Sequence, residues 1–443
     1  MSARRTTRAG FATVIVLTAI AMATLILVRL QASAYRQSSA GREAVAATRA
    51  RWAARGGLEA VIARLAHENR GVEPVSAFSV FNAMDAVSSG EFEGARFDIS
   101  HTVDGVQQVG PADAHAKINI NLMNPQDLLE LPGMTEDVAA AIIDWIDTDD
   151  LTSEFGAEAG YYNQLIPSYE PRNGPIRSLR ELELVVGVDP ELVRGEDWNL
   201  NGRLDPNEND GDRTWPDDDE DGRLDAGWSE FITASSQDVG LAASGLPRIN
   251  LLNTDQRTLI NRCGPLDAIQ ARVLLEWAAL NGERIEQIIG TTLQQMAQQV
   301  PTLGVPPQNI ENLNEEQTRA ILANCEIRDE SQPAPPGRLN LNTVRRKTLD
   351  YVTSIPPGLS DLIIFTRNSR PDGFTSMLDL QTVPGLAGNT NAIVQLSSIV
   401  TVEPNTFVVS SVGRDVNSGI EVEILATIER SALPIIITEL SER

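Results

Sequence analysis

The stretch "RRTTRAGFATVIVLTAIAMATLILVRL", Arg4 to Leu30, sets three arginines and a glycine ahead of eighteen uncharged, mostly apolar residues, Phe11 to Val28. At about 1.5 Å per residue, a helix of that length reaches about 27 Å, close to the hydrocarbon thickness of a bilayer. Arg4, Arg5 and Arg8 precede it, so the positive-inside rule keeps the first ten residues cytoplasmic and sends the chain after Leu30 outward. A secretory signal peptide is the rival reading. Its apolar region is usually about 7–15 residues, shorter than this one, but "ASA" at Ala32 to Ala34 has the small-x-small form that signal peptidase cuts after.

Beyond Arg29 the helical character continues, because Ala32 to Asn69 holds no proline and is rich in alanine, arginine and glutamate. Membrane span and soluble helix therefore read as one rod of about 87 Å from Phe11. Leu58, Val61, Ile62 and Leu65 recur at helical spacing and present one apolar face to a core, with a kink expected at Gly56-Gly57 and a stop near Asn69 to Gly71. "GARFDISHTVDGVQQVG", from Gly94, alternates apolar and polar residues about Asp104-Gly105 and predicts two strands joined by a tight turn. "NTFVVSSVGRDVNSGIEVEILATIERS", from Asn405, predicts a second hairpin about Asp415 to Gly419 that closes the sheet begun before Lys117, making the region between an insertion.

Internal repeats organise that region. "KININLMNPQDLLELPGM" from Lys117, "RINLLNTDQRTLINRCG" from Arg248 and "RLNLNTVRRKTLDYVTSIPPG" from Arg338 share a short strand, an asparagine-rich cap and an amphipathic helix start. "SLRELELVVGV" from Ser178 and "SMLDLQTVPGL" from Ser376 align at Leu182/Leu380, Val185/Val383 and Gly187/Gly385. "LPGM", "VVGV" and "VPGL" resemble the turns of helix-hairpin-helix units. Such turns bind DNA phosphates in some proteins, but here no basic patch accompanies them, and packing modules are the expected role.

The chain has 443 residues, 42% of them hydrophobic, enough for two or three cores, and a formal net charge of −25 that opposes phosphate backbones and suits cations. No nucleic acid is expected as a partner. His67, His101 and His115 show no metal or triad spacing, and no GxSxG, HExxH, Walker or GxGxxG motif is present, so the expectation is a protein that is not an enzyme. Cys263 and Cys325, the only cysteines, are a candidate disulfide in an oxidising compartment.

Residues 196–230 carry thirteen acidic side chains against three arginines. "DWNLNGRLDPNE" sets Asp197, Asn199, Asn201, the Arg203 carbonyl, Asp205 and Glu208 at positions 1, 3, 5, 7, 9 and 12, with Gly202 at 6. This is the calcium-loop pattern: hard oxygen ligands alternate round the ion, glycine permits the bend, and the last glutamate closes the site. A second loop offers Asp217, Asp219, Asp221, the Arg223 carbonyl and Asp225, but Trp228 stands in the twelfth place, leaving Glu230 or a distant residue to close it. Too few residues separate the loops for a paired EF-hand. The compact tandem looks like the aspartate repeats of thrombospondin type 3 or dockerin modules, with a solvated acidic linker as the alternative. "DWIDTDD", with Asp144, Asp147, Asp149 and Asp150, is a further acidic candidate, or an ordinary helix-end cluster.

The order of basic leader, Gly-Phe junction, long apolar helix, "KININ…LPGM…AAAIIDWIDTDD", "GAEAGYYNQLIPSYEPRNGPIRSLRELELVVGV", "FITASSQ", "INLLNT" and a C-terminal hairpin resembles the type II secretion minor pseudopilins of the general secretion pathway protein K (GspK) family. The most specific stretch is Lys117 to Val188. The resemblance implies an α+β fold: a pilin-like long N-terminal helix packed on a small antiparallel sheet, with a large, mainly α-helical insertion containing the helix-hairpin-helix-like repeats. It implies a leader over 1–10, the membrane part of the helix over 11–30 and its soluble part over 31–70, then the first part of the sheet over 71–116. The helical insertion follows over 117–195, the acidic loops over 196–230, a second repeat region over 231–336, and the third repeat with the closing strands over 337–443.

The same resemblance implies cleavage by the prepilin peptidase after Gly10 and N-methylation of Phe11. Most pilin-type subunits carry a glutamate at the fifth mature position; Ile15 stands there in this chain, as in K-type subunits. A glutamate there would neutralise a neighbour's terminal amine within lipid, where unpaired charge is costly, so Ile15 suits a subunit with none above it. The implied role is assembly at the tip of a periplasmic pseudopilus for export of folded proteins. Its implied partners are the other minor pseudopilins, the major pseudopilin and the inner-membrane secretion platform; its bulk is periplasmic, and calcium is bound in some members. The region about 235–335, with both cysteines, and the tandem loops depart from the family pattern. Two other classes remain: a membrane-anchored helix-hairpin-helix protein binding DNA during uptake, and an exported calcium-binding adhesion protein.

Overall fold

The computed structural model describes residues 7–68, 76–242, 245–282 and 284–443, with backbone alone for residues 7–10. Helix α1 (Thr7–Glu68) runs unbroken for 62 residues, about 93 Å. It stays helical through Gly56-Gly57; the expected stop at Asn69 to Gly71 lies outside the described residues. Gly57 has another use, since a Cβ there would come within 2.7 Å of Phe97 and 2.5 Å of the Ser411 hydroxyl.

A short helix α2 (Ser79–Asp85) leads into the strands β1 (Ser89–Phe92), β2 (Ala95–Val103), β3 (Val106–Val109) and β4 (Ala112–Asp113). The last strands are β5 (Thr406–Asp415), β6 (Glu421–Glu429) and β7 (Ile436–Glu442). Together they form one antiparallel sheet in the order β1-β2-β5-β6-β7, with β3 on β2 and β4 on β5. The β2–β3 turn has Asp104 and Gly105 at φ 51° and 71°, the doubly left-handed form that matches strand twist. Ser411 to Asp415 pair with Ile99 to Ala95, so strands from before and after the insertion share one sheet. β7 is an edge strand beyond the expected hairpin; its alternation is weak because most of its residues, on both faces, are exposed.

Helix α1 covers this sheet. Ala50, Ala53, Ala54, Leu58, Val61 and Leu65 are buried against Ile99, Phe407, Val409, Ile424 and Ile428. The backbones approach closely where Ala50 and Ala54 cross β5. A Cβ on Gly413 would lie 1.9 Å from the Ala50 carbonyl oxygen, and the Ser411 hydroxyl donates to the Ala54 carbonyl at 2.9 Å.

The insertion has a separate core and is built three times over. Ile118-Asn119 pairs in parallel with Ile232-Thr233, Ile249-Asn250 with Cys325-Glu326, and Leu339-Asn340 with Val400-Thr401. In each copy the asparagine accepts a hydrogen bond from the N–H two residues on: Asn121 to Asn119 at 3.0 Å, Leu252 to Asn250 at 3.1 Å, Asn342 to Asn340 at 3.0 Å. Helical pairs follow: Pro125–Leu129 with Glu136–Ile146, Gln256–Cys263 with Ala268–Asn281, and Arg346–Asp350 with Leu359–Asn368. Each copy then has a 3-10 turn, at Leu179–Leu184, Ile285–Ile289 or Met377–Thr382. Before "VVGV" and "VPGL" the leading arm is therefore 3-10 rather than α, since so short a segment gains little from an α-helical nucleus. Leu131, Val185 and Val383 of the three glycine turns are buried in the insertion core.

Replacing Gly413 by valine forces α1 off β5 and costs about 3 kcal/mol or more in chemical denaturation of the detergent-solubilised chain. Gly56→Ala, where nothing lies within 4 Å, leaves stability unchanged or raises it by up to about 1 kcal/mol.

Candidate functional site

The acidic segment leaves the first module after a short helix, Pro190–Arg194, and returns at Ile232. Its first loop closes on itself. Asp197 accepts from the N–H groups of Asn201 and Gly202 at 2.9 and 3.0 Å, Asn199 from Asn201 N–H at 2.8 Å, and Asn201 from Arg203 N–H at 2.8 Å. The amides of Asn199 and Asn201 both donate to one oxygen of Asp205, at 2.7 and 2.9 Å, and Glu208 Oε2 accepts from Asp205 N–H at 3.0 Å. Asp197, Asn201 and Glu208 are buried, and Glu208 Oε1 has no hydrogen-bond partner. Burial pushes the Asp197 carboxyl up to about 6 and that of Glu208 up to about 8, with the carboxylate of Asp205 raising both.

The second loop repeats the backbone. Leu200 and Glu220, at position 4, have φ 58° and 57°; Gly202 and Gly222, at position 6, have φ 69° and 79°. Its side chains do not converge in the same way: Asp217, Asp219, Asp221, Arg223 and Asp225 are all exposed. Glu230, expected as one way to close it, is engaged elsewhere. Trp228 is buried, with its indole N–H donating to the Pro132 carbonyl at 2.7 Å, and Glu230 is paired with Arg345.

Within the first module, Asp144, Asp147 and Glu158 bring carboxylate oxygens within 4.8 Å of one another. Asp144 and Glu158 are buried; both oxygens of Glu158 and Oδ1 of Asp144 lack partners. Burial, with Asp144, Asp147 and Asp150 adding to it, pushes the Glu158 carboxyl up to about 7. Asp149 and Asp150 remain outside, accepting from Leu151 N–H and the Asn173 amide at 2.8 Å each. Glu158 was not legible beside "DWIDTDD", because the turn that returns it has no fixed spacing.

The cysteines, far apart in sequence, meet. Cys263 ends its helix and Cys325 sits in the return strand of the second module, both buried, with sulfurs 2.9 Å apart. At the other end of the molecule, Gly10 lies in the helical backbone of α1, and Phe11 and Ile15 are exposed, 71% and 51%. The apolar first part of α1 is long and apolar enough to cross a membrane, with mean hydropathy 2.6 and none of the described residues covering it.

Comparison with known proteins bears on the segment that joins sheet and first module. Residues 95–195 match the family profile described as Type II secretion system (T2SS), protein K. Among solved structures, a chain in the crystal structure of the GspK-GspI-GspJ complex from the enterotoxigenic Escherichia coli type 2 secretion system matches at 13% identity, over 92% of this chain and 99% of that one, with a TM-score of 0.44. No curated protein matches the chain. From β2 through the Asp144 cluster to Gly195, the chain is therefore similar to the protein K domain of the type II secretion system.

Proposed function

We propose that this chain is a non-enzymatic subunit at the tip of a periplasmic pseudopilus, where it helps to initiate or limit assembly for the export of folded proteins. The observation that carries the reading is the division of α1. Its first part is apolar and wholly exposed, its last part is the core of the pilin-like sheet, and the same chain holds a segment similar to the protein K domain. Phe11 to Val28 would hold it in the bacterial inner membrane as a single span, with the bulk in the periplasm. The prepilin peptidase, the secretion platform, the major pseudopilin and the other minor pseudopilins are its proposed partners. Ile15 offers no carboxylate to an amine above it, which fits a terminal position.

Calcium is the proposed cofactor of the protein K domain. Three converging carboxylates, two of them buried with orphaned oxygens, are costly without a cation, and hard oxygen donors suit calcium. Asp144, Asp147 and Glu158 would hold it.

Peptide mass analysis of the chain extracted from native membranes tests the placement: a start at methylated Phe11 is expected, and a start at Tyr35 overturns it. In the same sample Cys263 and Cys325 are expected as one linked peptide pair that separates on reduction, because export carries the thiols into an oxidising compartment. For the acidic cluster, the sign follows from Glu158. Its folded value of about 7 lies above the unfolded value of about 4.3, so its contribution to stability is present at acid pH and is lost as pH rises through 7. In chelator, Tm should fall over that interval; calcium should restore it, and Glu158→Gln should flatten part of the fall.

A further inference from the structure

The first acidic loop touches more than itself. Gly202 accepts, through its carbonyl, from Thr102 N–H of β2 at 2.8 Å. The Asn201 amide reaches Glu423 of β6 at 3.2 Å, and Glu423 in turn accepts from the Ser410 hydroxyl of β5 at 2.6 Å. The Asn199 carbonyl accepts from Arg443, just beyond β7, at 2.6 Å, and from Arg180 of the first module at 2.9 Å. Positions 3, 5 and 6 of the loop thus hold the pilin-like sheet, while position 3 also holds the insertion.

We propose that Asp197, Asn199, Asn201, the Arg203 carbonyl, Asp205 and Glu208 form a calcium site, distinct from the Asp144 cluster, whose filling clamps the insertion to the sheet. Two independent features point to the ion. The oxygen-bearing residues stand at the alternate positions a hard cation needs, and the closing glutamate is 1% exposed with one carboxylate oxygen unpartnered beside Asp197 and Asp205. Loss of the ion leaves three carboxylates facing one another at the center of the contact. Repulsion then opens the loop, and the hydrogen bonds to Thr102, Glu423 and Arg443 go with it. The second loop, whose acids are exposed and whose twelfth position is tryptophan, is not part of this clamp.

The test is calcium calorimetry on the full chain in detergent, paired with amide hydrogen exchange over Ser100 to Val103 and over β6. In the native chain, calcium slows exchange in both segments relative to chelator, a comparison that needs no variant. Glu208→Gln weakens one class of binding site by roughly tenfold or more and abolishes that slowing. Glu158→Gln, which alters the other cluster, leaves the slowing intact. Equal exchange with and without calcium in the native chain overturns the clamp. Unchanged heats in a folded Glu208→Gln chain overturn the site. Neither readout depends on secretion, so either failure is separable from failure of the pseudopilin reading.

Discussion

The crossing of α1 over β5 is the contact on which the rest depends. Helix and strand approach so closely at Ala50, Ala54 and Gly413 that no side chain larger than a methyl group fits on the helix, and not even that on the strand. Dispersion and burial at this crossing bring a strand from the end of the chain onto one from its beginning, because β5 pairs with β2 and both lie beneath α1. Once β2 and β5 are neighbours, everything between β4 and β5 must leave the sheet and return to it. The insertion is then free to grow, provided its two ends stay at one edge of the pilin-like domain.

It has grown by repetition. Each module begins and ends on a two-residue parallel bridge, which fixes the distance between its entrance and exit, and the asparagine after the first strand turns the chain into the helices by accepting a backbone N–H. Such a unit can be added in series without changing its neighbours' ends, since only the bridge must be satisfied. The acidic segment is an addition of a different kind: it extends one module between its last helix and its return strand, and its first loop bends back onto the sheet before Trp228 re-enters the insertion core.

Much of this was legible in the sequence. Alternation about Asp104-Gly105 and about Asp415 to Gly419 located both hairpins, and the helical spacing of Leu58, Val61 and Leu65 located the core face of α1. The calcium-loop spacing singled out Asp197, Asn201 and Glu208, and the structure brings them into one self-closed loop because their side chains bond to the loop's own backbone and to Asp205. What escaped was set by contact across the chain. The glycine pair in α1 reads only as a place for a kink until Phe97 and Ser411 are seen against Gly57. Glu158 joins Asp144 only through a turn of irregular conformation, and the return strands are two residues long, too short for any period. The 3-10 turn of the second module, Ile285–Ile289, also runs into a hydrophobic-x-Gly ending at Ile288-Ile289-Gly290, but the residues before it share too little with the other two for the repeat to be read there.

The exposed part of α1 carries the remaining physical obligation. Phe11, Leu17, Leu25 and Leu30 are each more than half exposed, on a part of the helix that none of the described elements covers. Water is a poor solvent for a continuous apolar cylinder of this length, and a bilayer or a bundle of similar helices is a good one. The two are not equivalent for the folded part, however. Lipid alone would leave the rod free to rotate about its axis, whereas neighbouring helices fix its rotation, and through the rigid continuation of α1 they fix where the sheet and insertion face. Since α1 is continuous helix from its apolar part to the sheet, an orientation imposed on that part by neighbouring helices would be transmitted to the domain that carries the acidic clusters.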